Sequence, residues 1–281
     1  MSNQIGLGID YQYKSDFCGS DISNLCSNFR QHITHISIVN IPSCEEARFF
    51  RNNISKEIPI IHHLSGIAPC DPDGPNLEKL KHQIEISKIL SARWCLEDIG
   101  IWSLGPYDIP YFIPPIFDQR VAELVAQRIH SITKIVDRPF LMEIPACSFV
   151  VGEMSLGDFF HHLVKETHCR VVLDVSHVFS YALAKDCHPL TVLESLPLDS
   201  VSEIHIAGGR INKRNSKRYI DTHSDNILDE VISIFTQAIK DCDQLRAITY
   251  EIGAMSTPEL VDTEFKKLNS IVNQTSFEAK L

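Results

Sequence analysis

Short apolar, β-branched runs punctuate this chain. They are Ile5-Gly-Leu-Gly-Ile9, His35-Ile-Ser-Ile-Val39, Ile58-Pro-Ile-Ile61, Arg93-Trp-Cys-Leu96, Pro139-Phe-Leu-Met-Glu143, Arg170-Val-Val-Leu-Asp-Val175, Val201-Ser-Glu-Ile-His-Ile206 and Ala247-Ile-Thr-Tyr-Glu-Ile252. Each has the length of a strand. Between most of them, apolar residues return at helical spacing. Leu77, Leu80, Ile84, Ile86 and Ile89 mark one helix over 76–91. Val121, Leu124, Val125, Ile129, Ile132 and Ile135 mark a second over 118–136, and Ile227, Leu228, Val231, Ile232, Ile234, Phe235 and Ala238 a third over 225–239. Ser155-Leu-Gly-Asp158 and Ser256-Thr-Pro-Glu259 read as capped helix openings, the second leading into a last helix over 258–272. Strand and helix alternating eight times predict an α/β fold, a (β/α)8 barrel in which residues 1–281 form one domain. No Gly/Ser-rich linker or shift in composition divides the chain. An open doubly wound sheet is the alternative, but no GxGxxG follows a strand, and Gly6-Leu-Gly8 lies inside the first one.

Composition narrows the class. The 281 residues are 44% hydrophobic and 22% charged, as in ordinary globular proteins. No stretch approaches the roughly 18 consecutive apolar residues of a membrane span. The opening MSNQIGLGIDYQYKSD lacks the basic and apolar regions of a secretory signal, so a cytoplasmic protein without a membrane partner is expected. A net charge of -10 argues against nucleic-acid binding. One basic run stands out, Arg210-Ile-Asn-Lys-Arg-Asn-Ser-Lys-Arg218, readable as a solvated loop or as a flap contacting an anion or a peptide. The nine cysteines show no CxxC spacing, which argues against a disulfide framework or a thiolate zinc knuckle and leaves most of them as small buried hydrophobes.

The candidate chemistry gathers at the strand ends, where a barrel of this kind places its site. Strand 3 ends in His62-His63, strand 4 in Glu97-Asp98, strand 5 in Glu143 and strand 6 in Asp174, with His177 three residues on. Strand 7 carries His205, followed in its loop by Asp221-Thr-His223, and strand 8 ends in Glu251. No Lys or Arg interrupts the set. Uncompensated carboxylates at one rim would cost on the order of several kcal/mol in repulsion and desolvation, a cost that bound cations remove. Imidazole and carboxylate without thiolate suit zinc, manganese or non-haem iron. The ligand candidates His63, Asp98, Glu143, Asp174, His177, His205, Asp221, His223 and Glu251 are too many for one ion, so two or three ions with bridging carboxylates are implied. His62 and His63 must face opposite ways along a strand, and His63 is the choice. Asp98 is preferred to Glu97 on the same ground. Asp221 and His223 are expected to point the same way from an extended segment.

At these residues the chain resembles the multinuclear non-haem iron-dependent oxidative enzymes, a family of peptide-modifying barrels. The resemblance runs from about His63 to Glu251. It is carried by Leu96-Glu-Asp-Ile-Gly100, Met142-Glu-Ile-Pro145, Leu173-Asp-Val-Ser-His177, Glu203-Ile-His-Ile-Ala-Gly208, Asp221-Thr-His223 and Tyr250-Glu251. Many members have Glu-His at Glu97-Asp98, Glu-Asn at Glu143-Ile144 and Asn at His177, so the third metal position is where this chain departs most. Its substitutions lean toward the methanobactin branch. The resemblance implies a TIM barrel of the xylose-isomerase-like type and two or three irons of mixed Fe(II)/Fe(III) state, with dioxygen as co-substrate. It further implies oxidation of a cysteine in a ribosomally made precursor peptide to an oxazolone with a neighbouring thioamide. A small partner protein holding the leader peptide, giving a heterodimer, belongs to the same implication. His177 and Asp221 stand as candidate catalytic residues as well as ligands. The competing reading is a multinuclear zinc or divalent-metal barrel hydrolase or isomerase. The charge opposes a DNA-processing member of that class, and no strand end offers the lysine usual in sugar isomerases. A catalytically idle binding barrel would have no reason to keep so many mutually repelling groups together.

Overall fold

The computed structural model describes residues 6–13 and 33–278. Eight parallel strands close into a barrel: β1 (Gly6–Gln12), β2 (Ile36–Val39), β3 (Ile60–His63), β4 (Cys95–Asp98), β7 (Phe140–Glu143), β8 (Arg170–Asp174), β9 (Val201–Ala207) and β12 (Ala247–Glu251). The expected alternation is what forms. Of the first expected strand, Ile5 lies outside the described residues. Two strands sit about two residues further toward the rim than the apolar runs suggest. The ladder to β2 begins through the carbonyl of Pro59, which has no N–H of its own to give, so β3 starts at Ile60 and reaches His63. No helix among the described residues is long and apolar enough to cross a membrane.

The outer layer consists of α1 (Cys44–Asn53), α2 (Leu77–Leu90), α3 (Gln119–Thr133), α4 (Leu156–Thr167), α5 (Val175–Lys185), α6 (Pro189–Glu194), α7 (Asp229–Asp241) and α8 (Pro258–Glu278). Their starts are written locally. Ser43, Asn76, Asp118, Ser155 and Asp174 each accept a backbone N–H in the first turn. The last helix runs past Val272 to Glu278, beyond its expected end.

Two hairpins were not legible as strands. One pairs β5 (Ile101–Leu104) with β6 (Tyr107–Ile113) after β4. The other pairs β10 (Gly209–Asn212) with β11 (Asn215–Asp221) after β9, and it corrects the reading of the basic run as a loop. Most side chains of this hairpin are exposed and polar, so it lacks the apolar alternation that reveals a half-buried strand. Tyr219 is its anchor, buried edge-on against Phe179 of α5.

Strand alternation divides the barrel cleanly. Ile60, Cys95, Phe140, Met142, Leu173, Ile204, Ile206, Ile248 and Tyr250 join the core under the helices. Ile61, Trp94, Leu96, Leu141, Val172 and Ala247 form a second apolar cluster inside the barrel. The next inward positions toward the C-terminal ends of those strands are His63, Asp98, Glu143, Asp174 and Thr249, with Glu251 two further on. The apolar plug thus serves as the floor of a polar chamber.

Candidate metal centre

Register fixes the neighbours in this chamber. Asp98 lies beside Glu143, Asp174 beside His205, and Asp10 beside Glu251 across their ladders. His63 Nε2 stands 3.5 Å from Asp98 Oδ2 and 3.4 Å from Glu143 Oε2. His205 Nδ1 stands 2.9 Å from Glu143 Oε1 and 3.1 Å from Glu251 Oε1. Asp221 Oδ2 lies between His177 Nε2 at 3.0 Å and His223 Nε2 at 2.9 Å, while Glu251 Oε2 is 3.5 Å from His223 Nε2. Ligand atoms converge within 4.8 Å of one another in three groups: His63, Asp98 and Glu143; Glu143, Asp174, His205 and Glu251; and His63, His205 and Glu251. Glu143 presents one oxygen to His63 and the other to His205. Glu251 does the same between His205 and His223. Each is placed as a bridge between neighbouring cation positions.

The alternatives left by adjacent residues separate by strand parity. His62 turns outward, its Nδ1 2.6 Å from Ser87 Oγ of α2, and burial lowers its pKa to about 3. Glu97 also leaves the chamber, accepting the N–H groups of Gly66 and Ile67, and burial followed by Asp98 raises its pKa to about 8. His177 arrives by way of a helix cap. Asp174 Oδ1 accepts the His177 N–H at 2.8 Å, which opens α5 and puts the imidazole one turn above the strand. The expected extended segment around Asp221 and His223 is not what forms. His223 adopts φ 53, a left-handed turn, and this turn rather than strand alternation swings its ring back onto Asp221. Its backbone is pinned there: the N–H donates to Gly208 O at 2.8 Å, and the carbonyl accepts from Gly253 N and Ser256 Oγ. Gly208 must lack a side chain because a Cβ would collide with the Asp225 carbonyl of this returning segment.

Several residues of the chamber escaped the sequence reading. Glu203 lies two residues before His205, so it shares the same inward parity, one layer deeper. It is fully buried and accepts from His205 Nε2 (3.1 Å), Thr249 Oγ1 (2.6 Å) and Trp94 Nε1 (2.7 Å). His35 Nε2 reaches Thr249 Oγ1 at 3.0 Å and extends the network downward. Asp10, just past the first apolar run, faces His63 and Glu251, and burial raises its pKa to about 6. Tyr111 of the β5–β6 hairpin leans over the rim and donates its hydroxyl to Asp221 Oδ2 at 3.5 Å. Phe112 places a ring edge against His177, with centroids 6.3 Å apart.

Hydrogen bonding assigns the ring nitrogens. His205 Nε2 meets Glu203, a carboxylate, and His177 Nδ1 meets the Ile144 carbonyl at 2.6 Å, so both nitrogens carry hydrogen. Their other nitrogens therefore face carboxylates, and only a proton or a metal cation can sit between. In keeping with this, His63 is raised to about 10 because Glu143 and Asp98 outweigh its burial, and His223 to about 10 through Asp221 and Glu251 despite burial. His177 and His205 are raised well above the ordinary value by their facing carboxylates, although both are buried. Burial raises Glu143 to about 7 and Asp174 to about 6. Asp221 and Glu251 are lowered by their histidine neighbours despite burial. Buried atoms without a hydrogen-bonding partner among the described residues concentrate here: Asp98 Oδ1, Glu143 Oε2, Asp174 Oδ2, His205 Nδ1, Asp221 Oδ1 and Glu251 Oε2. Such atoms are costly unless a ligand takes them. The donor set fits a multinuclear metal centre.

A consequence for stability follows from these shifts. Protein stripped of metal should lose stability as pH rises from about 6.5 to above 8. Glu97, Glu143, His63 and His223 all bind protons more tightly when folded than when unfolded, so raising the pH removes stabilising protons. The lowered pKa values of His35 and His62 act only below their ordinary 6.5 and leave this window untouched. Urea denaturation of chelator-treated protein at several pH values measures the slope, and a flat or rising profile would contradict it.

The fold recurs in solved structures at low identity. The likeness to endonuclease IV from Thermus thermophilus has a TM-score of 0.58 at 19% identity, covering 95% of this chain and 99% of that one. A xylose isomerase domain protein from Planctomyces limnophilus gives 0.62 at 11% identity, with 97% and 96% covered. These establish a xylose-isomerase-like TIM barrel and no more. Among sequence relatives, a UPF0276 protein of Nitrosospira multiformis is 27% identical over 194 residues, 65% of this chain and 64% of that protein. One from Psychromonas ingrahamii is 23% identical over 227 residues, 79% and 80% of the two. One from Rhizobium meliloti is 28% identical over 148 residues, and there the chain spans only 47% of the relative's length. The pattern that defines the RiPP precursor modification enzymes MbnB/TglH/ChrH matches residues 37–272, which takes in every chamber residue named above except His35 and Asp10. This chain belongs to the MbnB/TglH/ChrH family of RiPP precursor modification enzymes.

Proposed function

We propose that the chain is a multinuclear iron enzyme that uses dioxygen to oxidise a cysteine of a ribosomally made precursor peptide. The product proposed is an oxazolone with a neighbouring thioamide, a four-electron oxidation of the peptide matched by reduction of one dioxygen to water. The observation that carries this reading is the buried chamber of imidazole and carboxylate without thiolate, in which ring nitrogens and carboxylate oxygens face one another across cation-sized gaps. That donor set suits non-haem iron, and the missing sulfur leaves room for a substrate thiolate. His63, Asp98 and Glu143 would hold one ion, His205, Glu143, Asp174 and Glu251 a second, and His177, Asp221 and His223 a third. Iron bound there supplies redox capacity and the positive charge that favours a thiolate over a thiol.

The chain's own groups do the rest. Glu143 and Glu251 keep the positions close together. Glu203 and the Ile144 carbonyl hold His205 and His177 in the orientation that leaves a lone pair toward the centre. Tyr111 and Phe112 cover Asp221 and His177 on the solvent side and limit the approach of water. Asp221, in reach of the Tyr111 hydroxyl and both flanking histidines, is held as an ionised carboxylate that accepts hydrogen bonds at the open edge. A smaller partner protein that holds the leader peptide belongs to this proposal.

The test compares two precursor peptides, one with the reactive cysteine and one with serine in its place. Each is incubated with Fe(II)-loaded protein and the expected partner, with and without dioxygen. Mass spectrometry should show hydrogen loss only for the cysteine peptide and only with dioxygen. A hydroxyl, with its far higher pKa and harder oxygen, is a poor electron donor to iron. Full turnover by a preparation containing only zinc would sink the oxidative reading and put a hydrolytic one in its place.

A further inference from the structure

The mouth of the barrel is flanked by two hairpins of opposite character. The β5–β6 hairpin and the loops beside it expose apolar side chains, among them Tyr107, Tyr111, Ile116, Phe149 and Val151. The β10–β11 hairpin is cationic in a chain whose net charge is -10. Arg210 pairs with Asp225 and Lys217 with Asp186, which leaves Lys213, Arg214 and Arg218 exposed with no ion pair among the described residues. The hairpin is also anchored: Tyr219 is buried against α5, and the same strand ends at Asp221 in the metal centre. From Asn215 to Asp221 an extended strand covers about 20 Å at ~3.3 Å per residue. Unpaired cations at the tip of the hairpin, Lys213 and Arg214, and midway along the strand that leads into the chamber, Arg218, form a track rather than a scattered solvated surface.

We propose that the β10–β11 hairpin binds an acidic, extended segment of the peptide substrate and directs the neighbouring residue to the metal centre. The inference rests on the peptide-modifying reading and adds the position and charge of the recognition element. An acidic segment supplies the charges that Lys213, Arg214 and Arg218 lack, while the carboxylates of the chamber already face its own histidines and cation positions. Acidic residues are thus held on the flap, and the uncharged or thiol-bearing residue next to them is the one that enters. Across the mouth, the exposed aromatic and aliphatic side chains suit apolar residues on the other side of the reactive position.

Fluorescence anisotropy of the metal-loaded full chain tests this with a labelled synthetic peptide bearing a run of glutamates upstream of one cysteine. Its control carries glutamines in place of the glutamates. The glutamate peptide should bind more tightly, and its affinity should fall with added salt. The combined Lys213→Glu, Arg214→Glu and Arg218→Glu protein should lose about tenfold or more in affinity for it, several exposed ion pairs being removed together. The corresponding triple alanine variant should show a smaller loss of the same kind, and it reads the effect even if charge reversal disturbs folding. Equal binding of the two peptides, or undiminished binding by both variants, would overturn the proposal. So would variants that keep the peptide but no longer associate with another protein, because the flap would then be a protein interface. Failure of the parent reading looks different. Charge-dependent peptide binding without oxidation of any precursor would leave the docking surface standing, whereas undiminished oxidation of an acidic precursor by the variants would remove the surface and leave the chemistry.

Discussion

Substitution of His205 by Ala should remove bound metal and precursor oxidation together. No other side chain occupies its place: Nδ1 lies near both Glu143 and Glu251, and the residue belongs to two of the three converging ligand groups. Removing it opens the middle position and leaves two bridging carboxylates facing each other. The loss in metal affinity should exceed the roughly 10- to 100-fold typical of removing an outer partner of a ligand. Metal analysis after dialysis, beside mass spectrometry of a precursor peptide, measures both. Asp174→Ala should behave likewise, with an added loss of stability of about 1 kcal/mol because the same carboxylate caps α5. A His205→Ala protein that retained its full metal content would show that the centre is not assembled around this imidazole.

The second large effect is expected one layer below. Glu203 receives three hydrogen bonds, from Trp94, Thr249 and His205, and makes no contact with the open chamber. In Glu203→Gln one acceptor oxygen becomes an NH2 group that must face at least one existing donor. If it faces His205, the imidazole can satisfy it only by moving its hydrogen to Nδ1, the nitrogen needed for the metal. Metal affinity should therefore fall about 10- to 100-fold with little change in circular dichroism. Glu203→Ala should add a stability loss of about 1–3 kcal/mol for each buried donor left unpaired. Metal titration of the two variants separates these effects. Unchanged affinity in both Glu203→Gln and Glu203→Ala would mean that His205 is oriented by barrel packing alone.

Much of this arrangement was legible in the chain. Short apolar, β-branched runs of strand length located all eight barrel strands, two of them about two residues short of the rim. Strand parity meant that only one of His62 and His63 could face the chamber. The same parity points to Glu203 and Asp10, and reading each strand as two faces would have found them. Glu203 was hidden because a carboxylate in the barrel interior looks like an exposed position until its buried donors are known. What parity could not provide was the approach of the loops. His223 reaches Asp221 through a left-handed turn, and no local residue type announces it: the residue is neither Gly nor Asn. Both hairpins were missed because their side chains are chosen for the solvent and the mouth rather than for a core. Tyr111 is the clearest case, since its exposure gives no hint that its hydroxyl reaches Asp221.

Closure of the barrel has a consequence for the order of events in the cell. β1 completes the cylinder by pairing with β12, and the register brings Asp10 beside Glu251 from opposite ends of the chain. Contacts so distant in sequence form late, because loop-closure entropy must be met before they can contribute. Glu251 belongs to two of the three converging ligand groups, so neither can be complete until the last strand docks. A nascent chain still lacking its final strand offers the cell scattered histidines and carboxylates with little selectivity among divalent ions. Capture of an ion by those two groups would therefore follow docking of β12, and which ion they take would depend on the ions present at the moment the cylinder shuts.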